Sequence, residues 1–398
     1  KPWIHKKSIA DGPSILNYLN ETVDEYSLRE QIMFNQKVVS SNWVSKKSMW
    51  ELTIKSDGQE TNMTCNFLFL CGGYYSYDKP YMPEFPNQDA FQGNLIHPQF
   101  WDESMDCTDK KVIVIGSGAT AVTLVPAIAK NASHVTMLQR SPSYVVSAPA
   151  EDYFSKLLNH ILPTRLTYFL IRWKNILRTS IGFYLSRKYP AKVKERLINL
   201  VREELGQDFD VDKHFMPKYN PWDQRMCLVP DGDLFKAIRD GKASVVTDMI
   251  DRFDESGIYV QSGEFLEADI IVSATGIEIN ALNDIDVTVD QIKVEPHKKF
   301  SYKGMMLSGV PNLAFTFGYV NSSWTLRADL TCEYVCRLLN QMDKDGVSAC
   351  IPDEDTNAMG EDEYIDFTSG YVQRALNKMP KQGQKSPWRN YQNYLKDI

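Results

Sequence analysis

Lys110–Ser141 reads KKVIVIGSGATAVTLVPAIAKNASHVTMLQRS. The β-branched run Val112–Ile115 has the composition of a buried strand, and Gly116-Ser117-Gly118 follows it as a tight turn. Ala119–Lys130 is compatible with a helix, and His134–Leu138 is a second strand-type run ending at Gln139-Arg140-Ser141. This strand–turn–helix–strand order with a G-x-G-x-x-A turn is the context that a dinucleotide-binding fingerprint requires. Gly116 permits the sharp turn, Gly118 leaves room for a pyrophosphate, and Ala121 lets the helix pack closely on the strands. The candidate phosphate-binding stretch is therefore Gly116, Ser117, Gly118, Ala119, Thr120, Ala121 and Val122. The second strand ends in Arg140 and Ser141 with no acid nearby, and a guanidinium suits a 2′-phosphate. NADPH is thus favoured over NADH, the alternative being that Arg140 is an ordinary surface charge.

Outward from this unit, the 398-residue chain is long enough for two domains, and its 43% apolar content is that of a globular protein. A net charge of −7 argues against general nucleic-acid binding. The seven cysteines form no C-x-x-C pair, which points to a reducing compartment with neither structural disulfides nor a metal site. No stretch approaches the roughly 18 apolar residues of a membrane span, and no signal-peptide pattern opens the chain. The expected location is the cytoplasm.

Ser14–Tyr26 has helical spacing, and Ile32–Ser40, Trp50–Ile54 and Asn66–Leu70 read as strands, with Asp57-Gly58 as a turn. Cys71-Gly72-Gly73 closes a buried strand, which suits either close approach of a ligand or a plain turn. Phe91–Trp101 stands where a linker is expected, and its His97 is either a structural hydrogen-bonder or a functional group. Tyr153–Leu200 carries ten Lys/Arg and one acid, Glu195, interleaved with leucines and aromatics. It reads as an inserted helical layer with a solvated basic face, or as a surface for an anionic membrane at the inner face of the cell envelope. Further strands are expected at Ser244–Thr247, Ile258–Gln261, Ala268–Gly276 and Leu313–Phe317, and a helix at Leu326–Met342.

Two motifs carry a family resemblance. FQGNLIHPQFWD, with Phe91, Gly93, His97, Trp101 and Asp102, resembles the signature F-x-G-x-x-x-H-x-x-x-W-[P/D] of the class B flavoprotein monooxygenases of Baeyer–Villiger type. ADIIVSATG resembles their later D-x-x-x-x-x-T-G strand at Asp269, Thr275 and Gly276. FLFLCGGYY, VTMLQRSP, NPWDQR and YKGMMLSG are similar to the bacterial members that activate the thioamide prodrug ethionamide. The resemblance covers nearly the whole chain.

It implies an α/β fold with two Rossmann-like dinucleotide-binding domains, the NADPH domain inserted in a discontinuous FAD domain. The expected bounds are 1–102 and 262–398 for the FAD side and 103–261 for the NADPH side, with a helical insertion at 151–216. Family members open with a first G-x-G-x-x-G for FAD; this chain opens on Lys1-Pro2-Trp3, so that segment is expected to precede it. Val38 and Gly72 are the FAD-side residues expected here. The implied activity is NADPH- and O₂-dependent oxygenation through a C4a-peroxyflavin. It takes a small-molecule ketone in Baeyer–Villiger oxidation, or a thioamide or sulfide in S-oxygenation. Arg225 occupies the position of the family's catalytic arginine, with Gln224 where many relatives have Lys, and His97 is the second candidate, coupling domain motion to cofactor position. Two other classes stay open: a truncated, catalytically silent nucleotide-binding protein, and a membrane-surface protein acting through Tyr153–Leu200.

Overall fold

The computed structural model describes residues 2–3, 7–353 and 360–398. The chain divides into two compact units: Lys1–Leu16, Lys79–Arg172 and Ile181–Ile277 form the first, and Asn17–Asp78, Trp173–Ser180 and Glu278–Ile398 the second.

The first unit is built on a five-stranded sheet. Its strands are β1 (Asn94–Ile96), β2 (Lys111–Ile115), β3 (His134–Gln139), β6 (Ala243–Thr247) and β7 (Ile270–Ser273), in the order β6-β3-β2-β7-β1 and all parallel. A parallel pair, β4 (Val145–Ala148) and β5 (Cys227–Pro230), stands apart from it. A strand buried on both faces needs apolar residues in succession, and β2 supplies them. Val112 and Val114 pack with helix α1 (Ala119–Ile128), through Ala121, Val122 and Val125. Ile113 and Ile115 pack on the opposite face with Phe253, Ile258 and Val260 of an antiparallel meander. Asp269 ties the base of the sheet, accepting from the Lys111 backbone N–H at 2.8 Å.

Phe91–Trp101, expected as a linker, instead contributes β1, whose Asn94, Leu95 and Ile96 pair with Ile270, Ile271 and Val272. A strand this short gives no periodicity, and only pairing with β7 makes it one. Gly93 is the condition for it: a Cβ there would stand 2.3 Å from the Asp269 carbonyl oxygen. The basic stretch folds as helices α2 (Tyr153–Ile161), α3 (Thr164–Lys188) and α4 (Pro190–Leu205). Asp152 caps α2, accepting from the N–H groups of Phe154 and Ser155. Among the described residues, no helix is long and apolar enough to cross a membrane.

The second unit holds a five-stranded sheet in which Lys37–Val44 runs parallel to Asp286–Val289 and antiparallel to Met49–Ser56, which pairs in turn with Gln59–Cys65. The strand expected at Ile32–Ser40 begins later, at Lys37, and runs on to Val44 with a bulge between Val38 and Ser40. Gln59–Cys65 lacks apolar alternation because nearly all of it is exposed; its hydrogen bonds to Met49–Ser56 make it a strand. Leu68–Leu70 pairs in parallel with Leu313–Phe315. Helix α5 (Trp324–Asp345) carries a buried cation, Arg327, 3% exposed. Its guanidinium donates to the Lys303 carbonyl at 2.8 Å and to Asn390, and lies 3.4 Å from Asp397. Asp397 also accepts from the Tyr319 hydroxyl at 2.8 Å, and burial with this neighbouring charge pushes the tyrosine pKa up, so it remains a donor.

Removing one partner of a buried charge network leaves the other without its counter-charge. Arg327→Leu is expected to lower unfolding free energy by about 3 kcal/mol in urea titrations. A loss below about 1 kcal/mol would show that the network behaves as a surface pair.

Candidate nucleotide and oxygenation site

The carboxyl ends of β2, β7 and β1 carry the residues that the sequence singles out. The chain leaves β2 for β3 on one side and later returns to β7 on the other, so the end of β2 is the topological switch point where ligands of such folds bind. Gly116 stands there at φ +139°, and a Cβ would lie 2.4 Å from the Ala274 carbonyl oxygen. The turn thus requires glycine for both conformation and space. Its N–H donates to the Leu138 carbonyl at 2.8 Å.

Gly118 differs. Its backbone is extended (φ −80°, ψ −176°), which any residue adopts, and a Cβ there would meet no atom within 4 Å. Nothing among the described residues asks for glycine at this position; what the missing side chain leaves is open space over the start of α1. Ala119 and Thr120 are exposed beside it, while Ala121 and Val122 are buried beneath. No side chain caps the helix, so its first N–H groups face that space, a setting for an anion. The residues fit a dinucleotide pyrophosphate.

The Ser117 hydroxyl is not directed to a ligand. It donates to the Ser141 carbonyl at 3.0 Å and stands 3.0 Å from the Ser143 hydroxyl, fastening the turn to the end of β3. Gln139, 2% exposed, donates to the His214 carbonyl and to Thr247, at 2.7 and 2.8 Å. With Gln139 turned inward, Arg140 and Ser141 are the exposed groups at this strand end.

His97 is 9% exposed, with both ring nitrogens engaged. Nδ1 accepts from the Gln99 N–H at 3.1 Å, so the proton sits on Nε2, which donates to the Gly276 carbonyl at 2.9 Å. The imidazole pins the end of β1 to the turn after β7.

Arg225 is exposed, two residues before β5. Asp223 organises its loop, accepting from the Asn220 N–H at 3.0 Å and from Arg187 at 2.8 Å. Cys227 links this loop to the glycine turn, its N–H donating to the Tyr144 carbonyl at 2.8 Å and its Sγ lying 3.9 Å from the Ser117 carbonyl oxygen. Burial pushes the Cys227 thiol up to about 11, against a smaller lowering by the Arg225 charge. Sequence spacing did not disclose Ser143 or Cys227, because both act by contacts across the fold.

Val38 and Gly72 lie in the second unit, Val38 on the five-stranded sheet and Gly72 in the bend after Leu68–Leu70. A Cβ at Gly72 would meet the Asn283 amide at 3.0 Å, so the protein itself accounts for this glycine. Among the described residues, the second unit offers the ends of the Leu68–Leu70 and Leu313–Phe315 pair but no glycine-rich phosphate turn.

A doubly wound sheet with an open glycine turn defines a dinucleotide-binding protein. The family described as flavin-binding monooxygenase-like matches residues 8–311, and the chain belongs to it. The FAD-containing monooxygenase EthA of Mycobacterium tuberculosis is 48% identical over 399 residues, covering 100% of this chain and 82% of the relative. The probable FAD-binding monooxygenase AlmA of Acinetobacter baylyi is 48% identical over 401 residues, with 100% and 80% covered. A crystal structure of OTEMO in complex with FAD and NADP superposes with a TM-score of 0.73 at 20% identity, over 88% of this chain and 74% of that one. An oxidized steroid monooxygenase bound to NADP gives 0.72 at 20% identity, over 87% and 74%. These structural likenesses are in fold, and they bear out the α/β class with its parallel sheets.

The two glycines should separate in stability measurements. Gly116→Ala is expected to cost about 2 kcal/mol or more, and Gly118→Ala less than about 1 kcal/mol, by denaturant unfolding. Equal losses would contradict the open cradle. Burial lowers the His214 pKa below 6.5. The unfolded chain therefore takes up this proton first, and stability should fall as pH drops below 6.5, toward the folded-state pKa. His214→Gln should flatten that part of the pH–stability curve.

Proposed function

We propose that this chain is an NADPH- and FAD-dependent monooxygenase, which spends O₂ on a small-molecule ketone or on a thioamide or sulfide. The observation that carries the nucleotide half is the vacant position over Gly118 above an uncapped helix start. Identity across the whole chain to proteins named FAD-containing monooxygenases supports the flavin half.

Bound flavin supplies the oxygen activation; the residues of this chain bind and orient. Gly116–Val122 take the NADPH pyrophosphate through backbone N–H groups, with Ser117 holding the turn rigid through Ser141 and Ser143. Arg140 and Ser141 take the 2′-phosphate. His97 acts as a positioning residue, since both of its nitrogens are committed to the backbone. Arg225 supplies a permanent positive charge for oxygen atoms that become negative during transfer. The Asp223 loop and Cys227 hold it on the framework that carries the glycine turn.

Two substitutions test this reading in the FAD-loaded protein. Gly118→Val fills the cradle and should raise the NADPH Kd at least about tenfold by calorimetry, with the fold kept. Arg225→Ala should leave NADPH affinity within about threefold while product formation falls at least about 100-fold. Retained oxygenation would remove Arg225 from the mechanism. A wild-type protein that binds NADPH but never reduces its flavin would favour the silent nucleotide-binding alternative.

A further inference from the structure

Helices α2 and α3 leave a stripe of large apolar side chains exposed. On α3, Thr167, Ile176 and Ser186 are turned inward, 2%, 1% and 3% exposed, and the Ser186 hydroxyl donates back to the Gly182 carbonyl. Leu166, Leu170, Ile181 and Tyr184 instead face out, 45%, 39%, 55% and 57% exposed. Their spacing sets them on one stripe of the helix, the arrangement that a core-facing helix would bury. α2 does the same with Leu157 and Ile161, 56% and 68% exposed. All these exposed residues belong to the first unit. α4 buries Ile198 and Val201.

Charge selects what such a face can meet. From Tyr153 to Lys188 the sequence holds seven Lys/Arg and no Asp or Glu, in a chain of net charge −7, and of these Lys156 and Arg187 pair with Glu151 and Asp223. Arg165 and Lys192 are exposed, and Lys188 lies over the rings of Tyr184 and Tyr189, at 5.4 Å from each centroid. A second copy of the same face would set cations against cations. An anionic bilayer accepts both parts, the apolar stripe at the acyl boundary and the cations and tyrosines at the headgroups. We propose that the α2–α3 face of this protein is an in-plane binding surface for anionic phospholipid membranes. The inference goes beyond the oxygenase reading and does not depend on it.

The test is co-sedimentation of the intact chain with phosphatidylglycerol-containing vesicles and with pure phosphatidylcholine vesicles. Binding is expected to the anionic vesicles only, and to weaken as salt rises from about 0.05 to 0.5 M. Arg165→Glu/Lys188→Glu should weaken it more than about 25-fold, at about fivefold for each cation lost. Leu166→Ser/Leu170→Ser should weaken it with the charge unchanged, and circular dichroism checks that both variants remain folded. Equal binding to both vesicle types, or none to either at low salt, overturns the proposal. So does sedimentation equilibrium showing a lipid-free dimer that the serine variant dissociates, since the face would then be a protein interface.

Discussion

Everything in the nucleotide-binding unit depends on how closely β2 lies against β7. The two run parallel, with Val112 opposite Ile270 and Ile115 opposite Ser273. Their ends approach until only a hydrogen atom fits between Gly116 and the Ala274 carbonyl. This contact forces the chain to turn at once after β2 and fixes where α1 begins. The direction of the α1 N–H groups follows from it. The same crowded sheet end brings Gly276 within reach of His97, so one imidazole ties the ends of two strands, β1 and β7.

Hydrogen bonding around the site separates groups that build from groups left free to bind. Ser117, Gln139 and His97 spend their polar atoms on the protein itself. Buried polar atoms without partners are costly, so this internal pairing is what lets the strand ends be densely packed. The exposed groups, the start of α1, Arg140 and Arg225, stand at the margin of that paired framework. Cys227 joins two parts of it, resting on the Ser117 carbonyl while continuing the strand that follows Arg225.

The second unit solves a different problem. Its mixed sheet leaves Gln59–Cys65 in solvent, and its interior contains an ionised network around Arg327. The C-terminal residues Asn390 and Asp397, from a stretch with no readable periodicity, are the partners of that network. A fold shared at 20% identity with OTEMO is retained because sheet order and buried pattern tolerate exchange among apolar side chains.

Strand β2, the glycine turn and α1 were legible in the sequence because their signals are local. An unbroken β-branched run buries on both faces, and a G-x-G-x-x-A turn constrains backbone within a few residues. Family membership was legible for the same reason, through short motifs at Phe91–Asp102 and Asp269–Gly276. What sequence could not decide was which partner each short or polar segment finds. β1 is a strand only because β7 lies beside it, and Gln59–Cys65 only because Met49–Ser56 does. The two glycines of one motif look alike in sequence. Only the tertiary structure shows that one is required by a neighbouring carbonyl and the other by nothing among the described residues. The basic stretch predicted helices correctly, yet its periodicity was silent about which face turns inward. That choice belongs to packing, and packing placed Thr167, Ile176 and Ser186 inside and the leucines outside.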